Sequence, residues 1–252
     1  MSASRENTPP NGTKCRDCPL RKRDRFRDFT STELSFVDTF KTGELAVAKG
    51  ATILSEGSPS PHLFTVLTGW GFRYKILDDG RRQILNYVMP GDLVGLQGTL
   101  MGEMQHSVEA LSPMTLCVFE RARLHRLFSD HPHLAYDLTW IAAREEQMLD
   151  EHLLSVGRRT AMERSAYLLA FLFRRARAIG LLDAAKRVLP ITQGHVADTL
   201  GLSVVHTNKT LRKIAQRGLV HWLDRGCEVL DDEALLAIAK WSGEFERERP
   251  FI

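Results

Sequence analysis

The sequence predicts an α+β protein with three parts: an N-terminal antiparallel β-roll of the jelly-roll type, a long helix and a C-terminal winged helix-turn-helix. Glycines recur between short β-prone segments from about residue 26 to residue 131, a pattern typical of a sandwich or roll. A helical repeat without proline follows Pro132. Two short helical segments and a hairpin signal then follow within residues 159–252.

Composition limits the classes of protein to consider. A chain of 252 residues with 43% hydrophobic residues can form two modest domains with real cores. The net charge of +3 does not by itself indicate a nucleic-acid partner, so the distribution of charge has to decide. The N-terminal stretch MSASRENTPPNGTKC is polar, and no run of 18 apolar residues occurs, so we expect no secretory signal, no membrane span and a cytoplasmic location.

Residues 1–25 are polar and then basic, which predicts an N-terminal arm rather than a packed element. The arm carries Cys15 and Cys18 in the motif Cys-x-x-Cys. In a reducing compartment such a pair binds a metal, takes part in redox chemistry or has no role.

Residues 26–131 form the predicted β-roll. Segments such as HLFTVLTGWGFRYKIL and RRQILNYVM are β-prone and are separated by turn signals. The stretch DDGRR between them predicts a hairpin turn, in which Gly80 adopts the positive φ that the turn needs.

Residues 132–158 form the predicted long helix. Two overlapping apolar stripes run along it. The first consists of Leu138, Ala142, Leu149, Leu153 and Val156, and the second of Leu134, Leu138, Ile141 and Met148. A helix of roughly 25 residues is about 37 Å long, which is more than a small domain needs to cover itself. We expect it to pack on a second copy of itself; the alternative is a helix that lies over the roll.

Residues 159–252 contain the predicted helix-turn-helix. Thr192 is a suitable N-cap for the first helix, on which Val196, Ala197 and Leu200 face inward. Gly201 makes the tight turn, and Ser203 caps the second helix. The stretch LVHWLDRGCEVLD then predicts two strands joined by a tight turn, which is the wing of a winged helix.

The second helix has a face suited to the DNA major groove. Val204, Thr207, Leu211 and Ile214 lie on one face, and the opposite face and its edges carry the candidate base contacts: Val205, His206, Asn208, Lys209 and Arg212. Lysine and arginine can donate to guanine, asparagine can bind adenine and valine can contact a thymine methyl group. The alternative is a merely solvated basic face, and the wing that follows argues against it. Thr192, Gln193 and Ser203 are placed at helix N-termini, where Thr192 and Gln193 suit backbone phosphates.

From about Cys15 onward the chain resembles the Crp/Fnr family of bacterial transcription regulators. The similar stretches are Gly50, Glu56-Gly57, LTGWG at 67–71, PGDLVG at 90–95, LLS and AMERSAYLLAFL within 153–172, and the helix-turn-helix with its wing LDRGCEVLD. The resemblance implies a cyclic-nucleotide-binding-like roll, a dimerisation helix and a DNA-binding winged helix. It also implies a homodimer on a pseudo-palindromic operator, controlled by an effector in the roll, with RNA polymerase as a further partner.

The effector pocket that the resemblance implies contains Gly95, Leu96, Gln97, His106 and Ser107. In family members that bind cyclic AMP, a glutamate stands at the position of Leu96 and an arginine at that of His106. A buried phosphate without its arginine lacks a charge-assisted bidentate partner, so cyclic AMP is disfavoured. His106 then reads as an ordinary polar residue between strands.

The chain resembles the Fnr-like branch more closely, and that branch holds an iron–sulfur cluster with four cysteines. The corresponding positions here are Cys15, Cys18, Asp24 and Cys117, so a carboxylate stands where a third arm cysteine is usual. Three readings stay open: a cluster or metal site, a thiol switch whose thiol pKa values the arm's arginines lower, and cysteines without a role.

The second motif helix departs from better-known members, in which a glutamate and an arginine four residues apart read the bases. Val205 and Lys209 occupy those positions, so the operator is expected to differ. Two other classes of function fit the sequence less well than a DNA-binding regulator. No catalytic motif supports an enzyme, and a ligand-sensing module that binds no DNA leaves the winged helix without a role.

Overall fold

The computed structural model describes residues 12–183, 185, 187–242 and 249–252. After a single 3-10 turn at Cys15–Asp17, helix α1 spans Ser31–Phe40. Thr30 caps it reciprocally with Glu33, since each side chain bonds the other residue's backbone N–H. Strand β1 (Lys41–Val47) follows directly.

The N-terminal roll continues with β2 (Thr52–Leu54), β3 (His62–Thr68), β4 (Gly71–Ile76), β5 (Arg82–Val88), β6 (Leu93–Val94), α2 (Leu96–Met101), β7 (Ser107–Ala110) and β8 (Met114–Glu120). Its strands form two antiparallel four-stranded sheets, in the orders β1-β8-β3-β6 and β2-β7-β4-β5. Side chains of both sheets, such as Val66, Leu116 and Val108, are buried between them. The hairpin predicted at DDGRR is confirmed: Gly80 has φ +84° between β4 and β5.

The long helix has one apolar stripe that is buried and another that is largely exposed. Helix α3 (Leu124–Asp130) leads into α4 (Pro132–Arg158), in which Pro132 takes the first turn, where its missing N–H costs nothing. Leu134, Leu138, Ile141 and Met148 are buried against the rest of the chain. Leu153, by contrast, is 73% exposed. The apolar stripe along Ala142, Leu149, Leu153 and Val156 therefore faces away from the chain's own core.

The C-terminal half is a winged helix. It consists of α5 (Ala161–Ala178), β9 (Val188–Leu189), α6 (Gln193–Leu200), α7 (Val204–Gln216), β10 (Val220–Leu223), β11 (Gly226–Val229) and α8 (Asp232–Ala239). Its small sheet has the order β10-β11-β9. Nine consecutive residues of α5 are buried, 165–173, so this helix is the core around which the others pack. The α+β fold class is confirmed.

The two halves contact each other directly. Arg82 Nε on β5 donates to Asp198 Oδ2 on α6 at 2.8 Å, and the hydroxyls of Tyr87 and Thr199 share a hydrogen bond at 3.0 Å. Arg175 on α5 is buried and reaches Asp92 of the roll at 2.5 Å. These contacts hold α5 and α6 against the roll. None of the helices among the described residues is both long enough and apolar enough to cross a bilayer.

Candidate nucleic-acid interface and sensory cavities

The helix-turn-helix geometry follows from three local signals, and all three predictions are confirmed. Thr192 Oγ1 accepts from the His195 backbone N–H at 3.1 Å and caps α6. Gly201 ends that helix at φ +62°, a conformation that costs glycine little. Ser203 Oγ accepts from the His206 N–H at 3.2 Å and starts α7. The turn therefore fixes the angle at which α7 leaves the domain.

Helix α7 exposes the face that the sequence assigned to DNA. Val205 is 66% exposed, and His206, Lys209 and Arg212 are also exposed. The opposite face is buried through Thr207, Leu211 and Ile214. Helix α7 carries cationic residues and no acidic residue, so an anionic backbone would meet no repulsion there.

Four residues of the helix-turn-helix are placed differently from the expectation: one inner-face residue and three candidate contacts. Val204, expected on the inner face, is 51% exposed. Asn208 is half-buried, and its buried Oδ1 has no hydrogen-bond partner among the described residues. Thr192 already uses its hydroxyl as a cap, and Gln193 beside it is half-buried.

The wing adds a cation that the sequence reasoning did not assign. Strands β10 and β11 pair from Val220↔Val229 to Leu223↔Gly226, as the predicted wing requires. Arg225 lies exposed in the turn between them. A wing cation of this kind can meet a phosphate beside the groove that α7 enters, and only its position at a turn signal could have indicated it.

A cavity of about 160 Å³ lies where the roll meets α4 and α5. The predicted pocket residues Gly95, Leu96, Gln97 and His106 all line it, and Ser107 does not. Ser107 Oγ instead accepts from the Glu56 backbone N–H at 3.0 Å. The structure therefore brings four of the five predicted pocket residues together.

The expectation that this cavity lacks an arginine is wrong. Arg73 on β4 lines it, as do four others, Arg25, Arg144, Arg175 and Arg249. Arg73 bonds Glu145 on α4, and its buried Nε has no hydrogen-bond partner among the described residues. The resemblance points only to the position before Ser107 of β7, whereas the neighbouring strand β4 supplies the cation.

Two imidazoles lie in or near this region, that of buried His106 and that of half-buried His152. Burial, with Arg73 nearby, lowers the pKa of His106 to about 4. Burial also lowers the pKa of His152 to about 3, and its Nδ1 lies 2.9 Å from the Tyr167 hydroxyl. Both rings are therefore neutral near pH 7.

We expect acid to destabilise the fold through these two histidines. Below pH about 6.5 the unfolded chain protonates its histidines while the folded chain leaves His106 and His152 neutral, so the unfolded state binds more protons. For each unit by which the pH is lowered below about 6.5, the free energy of unfolding should then fall by roughly 1.4 kcal/mol for each histidine. Urea titrations between pH 7 and pH 5 measure this slope. His106→Gln should remove one histidine's share, and an unchanged slope in that variant would contradict the assignment.

A second, smaller cavity of about 20 Å³ is lined by three cysteines, Cys15, Cys18 and Cys117. Lys41, Phe251 and Ile252 also line it. Asp24, the fourth predicted ligand, is exposed and does not line the cavity. Within the described part of the chain, no three His, Cys, Asp or Glu side chains are spaced to hold a metal ion. Three thiols with a distant carboxylate do not fit a four-ligand cluster.

The expectation that the arm's arginines lower the thiol pKa values is wrong for two of the cysteines. Burial raises the pKa of Cys15 to about 12, and Lys41 offsets only part of that effect. Burial raises the pKa of Cys117 to about 12 in the same way. Arg16 and Lys22 point their charge to solvent instead. The thiols of Cys15 and Cys117 are therefore protonated and shielded in this arrangement.

Comparison with known proteins covers both halves. The cyclic nucleotide-binding domain model matches residues 44–131, and the Crp-like helix-turn-helix domain model matches residues 163–238. The nitrogen fixation regulation protein FixK of Bradyrhizobium diazoefficiens is 31% identical over 239 residues, covering 91% of this chain and 95% of FixK. The transcriptional activator protein FnrL of Cereibacter sphaeroides is 29% identical over 210 residues, covering 82% and 84%. The structure of FixK2 from Bradyrhizobium japonicum matches with a TM-score of 0.68 at 28% identity, covering 77% of this chain and 96% of that one.

Proposed function

The chain belongs to the Crp/Fnr family of DNA-binding transcription regulators, and we propose that two copies bind a pseudo-palindromic operator, each through its α7 helix. The observation that carries this proposal is the uncovered face of α7, where Val205, Lys209 and Arg212 are exposed together. A DNA major groove admits an α-helix with its side chains toward the base edges. The same exposed face argues against an enzyme or a ligand-sensing module that binds no DNA.

The contacts divide into base readers and phosphate contacts. Lys209 and Arg212 donate to guanine, Val205 contacts a thymine methyl group, and His206 and Asn208 read neighbouring bases. Asn208 must turn its half-buried amide outward to do so. Ser203, Thr192 and Gln193 at the helix N-termini, with the wing residue Arg225, contact backbone phosphates.

Dimerisation uses α4, residues 132–158. The exposed residues Ala142 and Val156 stand fourteen positions apart with half-buried Leu149 midway, and Leu153 adds to the same side. A seven-residue repeat is the spacing by which two helices pack along a seam. The occupant is a second copy of this chain, because two identical seams are self-complementary about a two-fold axis. Half-sites on the DNA then lie about 34 to 36 Å apart.

Control of DNA binding comes from the roll and the arm. Arg175 of α5 lines the large cavity, as do Gly95 and His106 of the roll, so an effector there contacts both halves. A ligand that binds one arrangement of the halves better than another shifts the population between them. Cyclic AMP stays disfavoured, because Leu96 stands where its glutamate is needed. RNA polymerase is a further partner in this proposal, and the cytoplasm is its location; the name of FnrL, a transcriptional activator protein, supports the polymerase.

Replacing Lys209 by alanine tests the base-reading role. We expect the variant to lose about 1 to 3 kcal/mol of binding free energy and to relax its preference at one base pair of each half-site. Lys22→Ala, which removes the same charge from an exposed site on the arm, is the control. Gel-shift titrations on selected and scrambled DNA at two salt concentrations separate specific from electrostatic binding. Equal affinity and preference for Lys209→Ala and the parent would refute the role.

A further inference from the structure

Residues 249–252 return from the DNA-binding half to the N-terminal arm. The Arg249 backbone N–H donates to the Arg25 carbonyl at 2.8 Å, and the Arg27 N–H donates to the Arg249 carbonyl at 3.0 Å. Arg249 thereby forms a parallel bridge with Phe26. The segment thus pairs with the arm through its backbone, as an added strand does.

The side chain of Arg249 also ties this segment to the roll. Its Nη1 donates to Asp92 Oδ1 at 3.0 Å, and its Nη2 donates to the Gly91 carbonyl at 2.9 Å. Asp92 is the carboxylate that Arg175 of α5 also bonds. One buried anion therefore holds two cations from the C-terminal half of the chain.

The two residues that follow Pro250 are buried beside the cysteines. Phe251 is 4% exposed and Ile252 3% exposed. The Phe251 ring lies 5.1 Å from that of Phe26 and 4.8 Å from that of Phe29, and Thr65 donates to the Ile252 carbonyl. Phe251 and Ile252 line the same cavity as Cys15, Cys18 and Cys117.

We propose that residues 249–252 are a removable strap that closes the thiol cavity, so that docking of the strap and reaction of the thiols with an electrophile exclude each other. With Phe251 and Ile252 in place the cavity has a volume of only about 20 Å³, which is too small to hold an adduct on Cys117 as well. The two equilibria are linked: an adduct lowers the equilibrium constant for docking of the strap by the same factor by which the docked strap lowers the equilibrium constant for adduct formation. Release also removes Arg249 from Asp92 and so loosens one tie between the two halves.

Labelling with N-ethylmaleimide tests the strap. The thiolate Sγ adds to one carbon of the maleimide double bond, and the adjacent carbon takes up a proton from solvent, so no oxidant is needed. Cys227 on β11 is fully buried in the winged helix and reports opening of the whole fold. In Phe251→Ala we expect the labelling rates of Cys15 and Cys117, divided by that of Cys227, to rise on the order of tenfold to a hundredfold. Mass spectrometry of the peptides gives each rate.

Two variants keep the test decisive. Phe128→Ala removes a phenyl ring that is half-exposed on α3 and should leave the ratio unchanged. Arg249→Gln releases the Asp92 contact without removing an aromatic side chain, and it decides the question if Phe251→Ala does not fold. An unchanged ratio, or an equal rise at all four cysteines, would overturn the strap. The experiment uses no DNA, so it stands or falls separately from the proposed operator binding.

Discussion

Replacing Arg175 by methionine is expected to lower the free energy of unfolding by about 3 to 5 kcal/mol, because it leaves a buried carboxylate short of its main partner. Arg175 is buried, bonds Asp92 at 2.5 Å and also donates to the Tyr87 carbonyl at 2.7 Å. Burial by itself raises the pKa of Asp92, but Arg175 and Arg249 outweigh it and hold that pKa below its usual value. Urea unfolding followed by tryptophan fluorescence measures the loss.

The double variant Arg175→Met with Asp92→Asn is the matched control for this prediction. Removing the charge along with its partner should restore part of the loss, since a neutral amide costs less to bury than an unpaired carboxylate. A single variant that loses under about 1 kcal/mol, the range of exposed ion pairs, would show that Asp92 is solvated and that this contact does not join the halves.

Replacing Leu153 by aspartate is expected to convert the proposed dimer to a monomer and to weaken operator binding by roughly a hundredfold or more. The side chain is 73% exposed in the single chain, so the fold itself should tolerate the change. In a dimer, however, two carboxylates would be buried in the apolar α4 seam. Sedimentation measures the mass, and gel shifts measure the affinity.

Phe128→Asp places the same charge on an exposed apolar position of α3 and is the control for that experiment. It should stay dimeric and keep its affinity for DNA. If Leu153→Asp remained a dimer at the same concentration, the seam proposed along Leu149, Leu153 and Val156 would be wrong. The dimer would then have to form through another surface.

Features governed by local chemistry could be predicted from the sequence. Thr192 and Ser203 bond backbone N–H groups three residues ahead, and Gly80 and Gly201 adopt positive φ, so each depends on a few neighbouring residues. The exposed face of α7 follows in the same way from helical periodicity. Helix caps, turn glycines and an amphipathic repeat each depend on residues close in sequence, so the local sequence was enough to predict them.

Features that depend on distant residues could not be predicted. Arg175 lies 83 positions from its partner Asp92, and Arg249 lies 157 positions from it. No periodicity or turn signal relates such positions, so the arginine-lined cavity and the strap emerge only in the folded chain. The raised thiol pKa values have the same origin: the sequence shows neighbouring cations, and only the fold shows that Cys15 and Cys117 are buried.

The central claim is that α7 reads DNA bases from within the major groove, and protection of guanine N7 from dimethyl sulfate tests it most directly. On a site selected from random DNA, the protein should protect guanines in two half-sites with centres about 10 to 10.5 base pairs apart. Lys209→Ala should lose protection at one symmetric pair, since lysine at guanine occupies N7 and O6. An identical pattern for the parent protein and Lys209→Ala, or no major-groove protection at all, would contradict the claim.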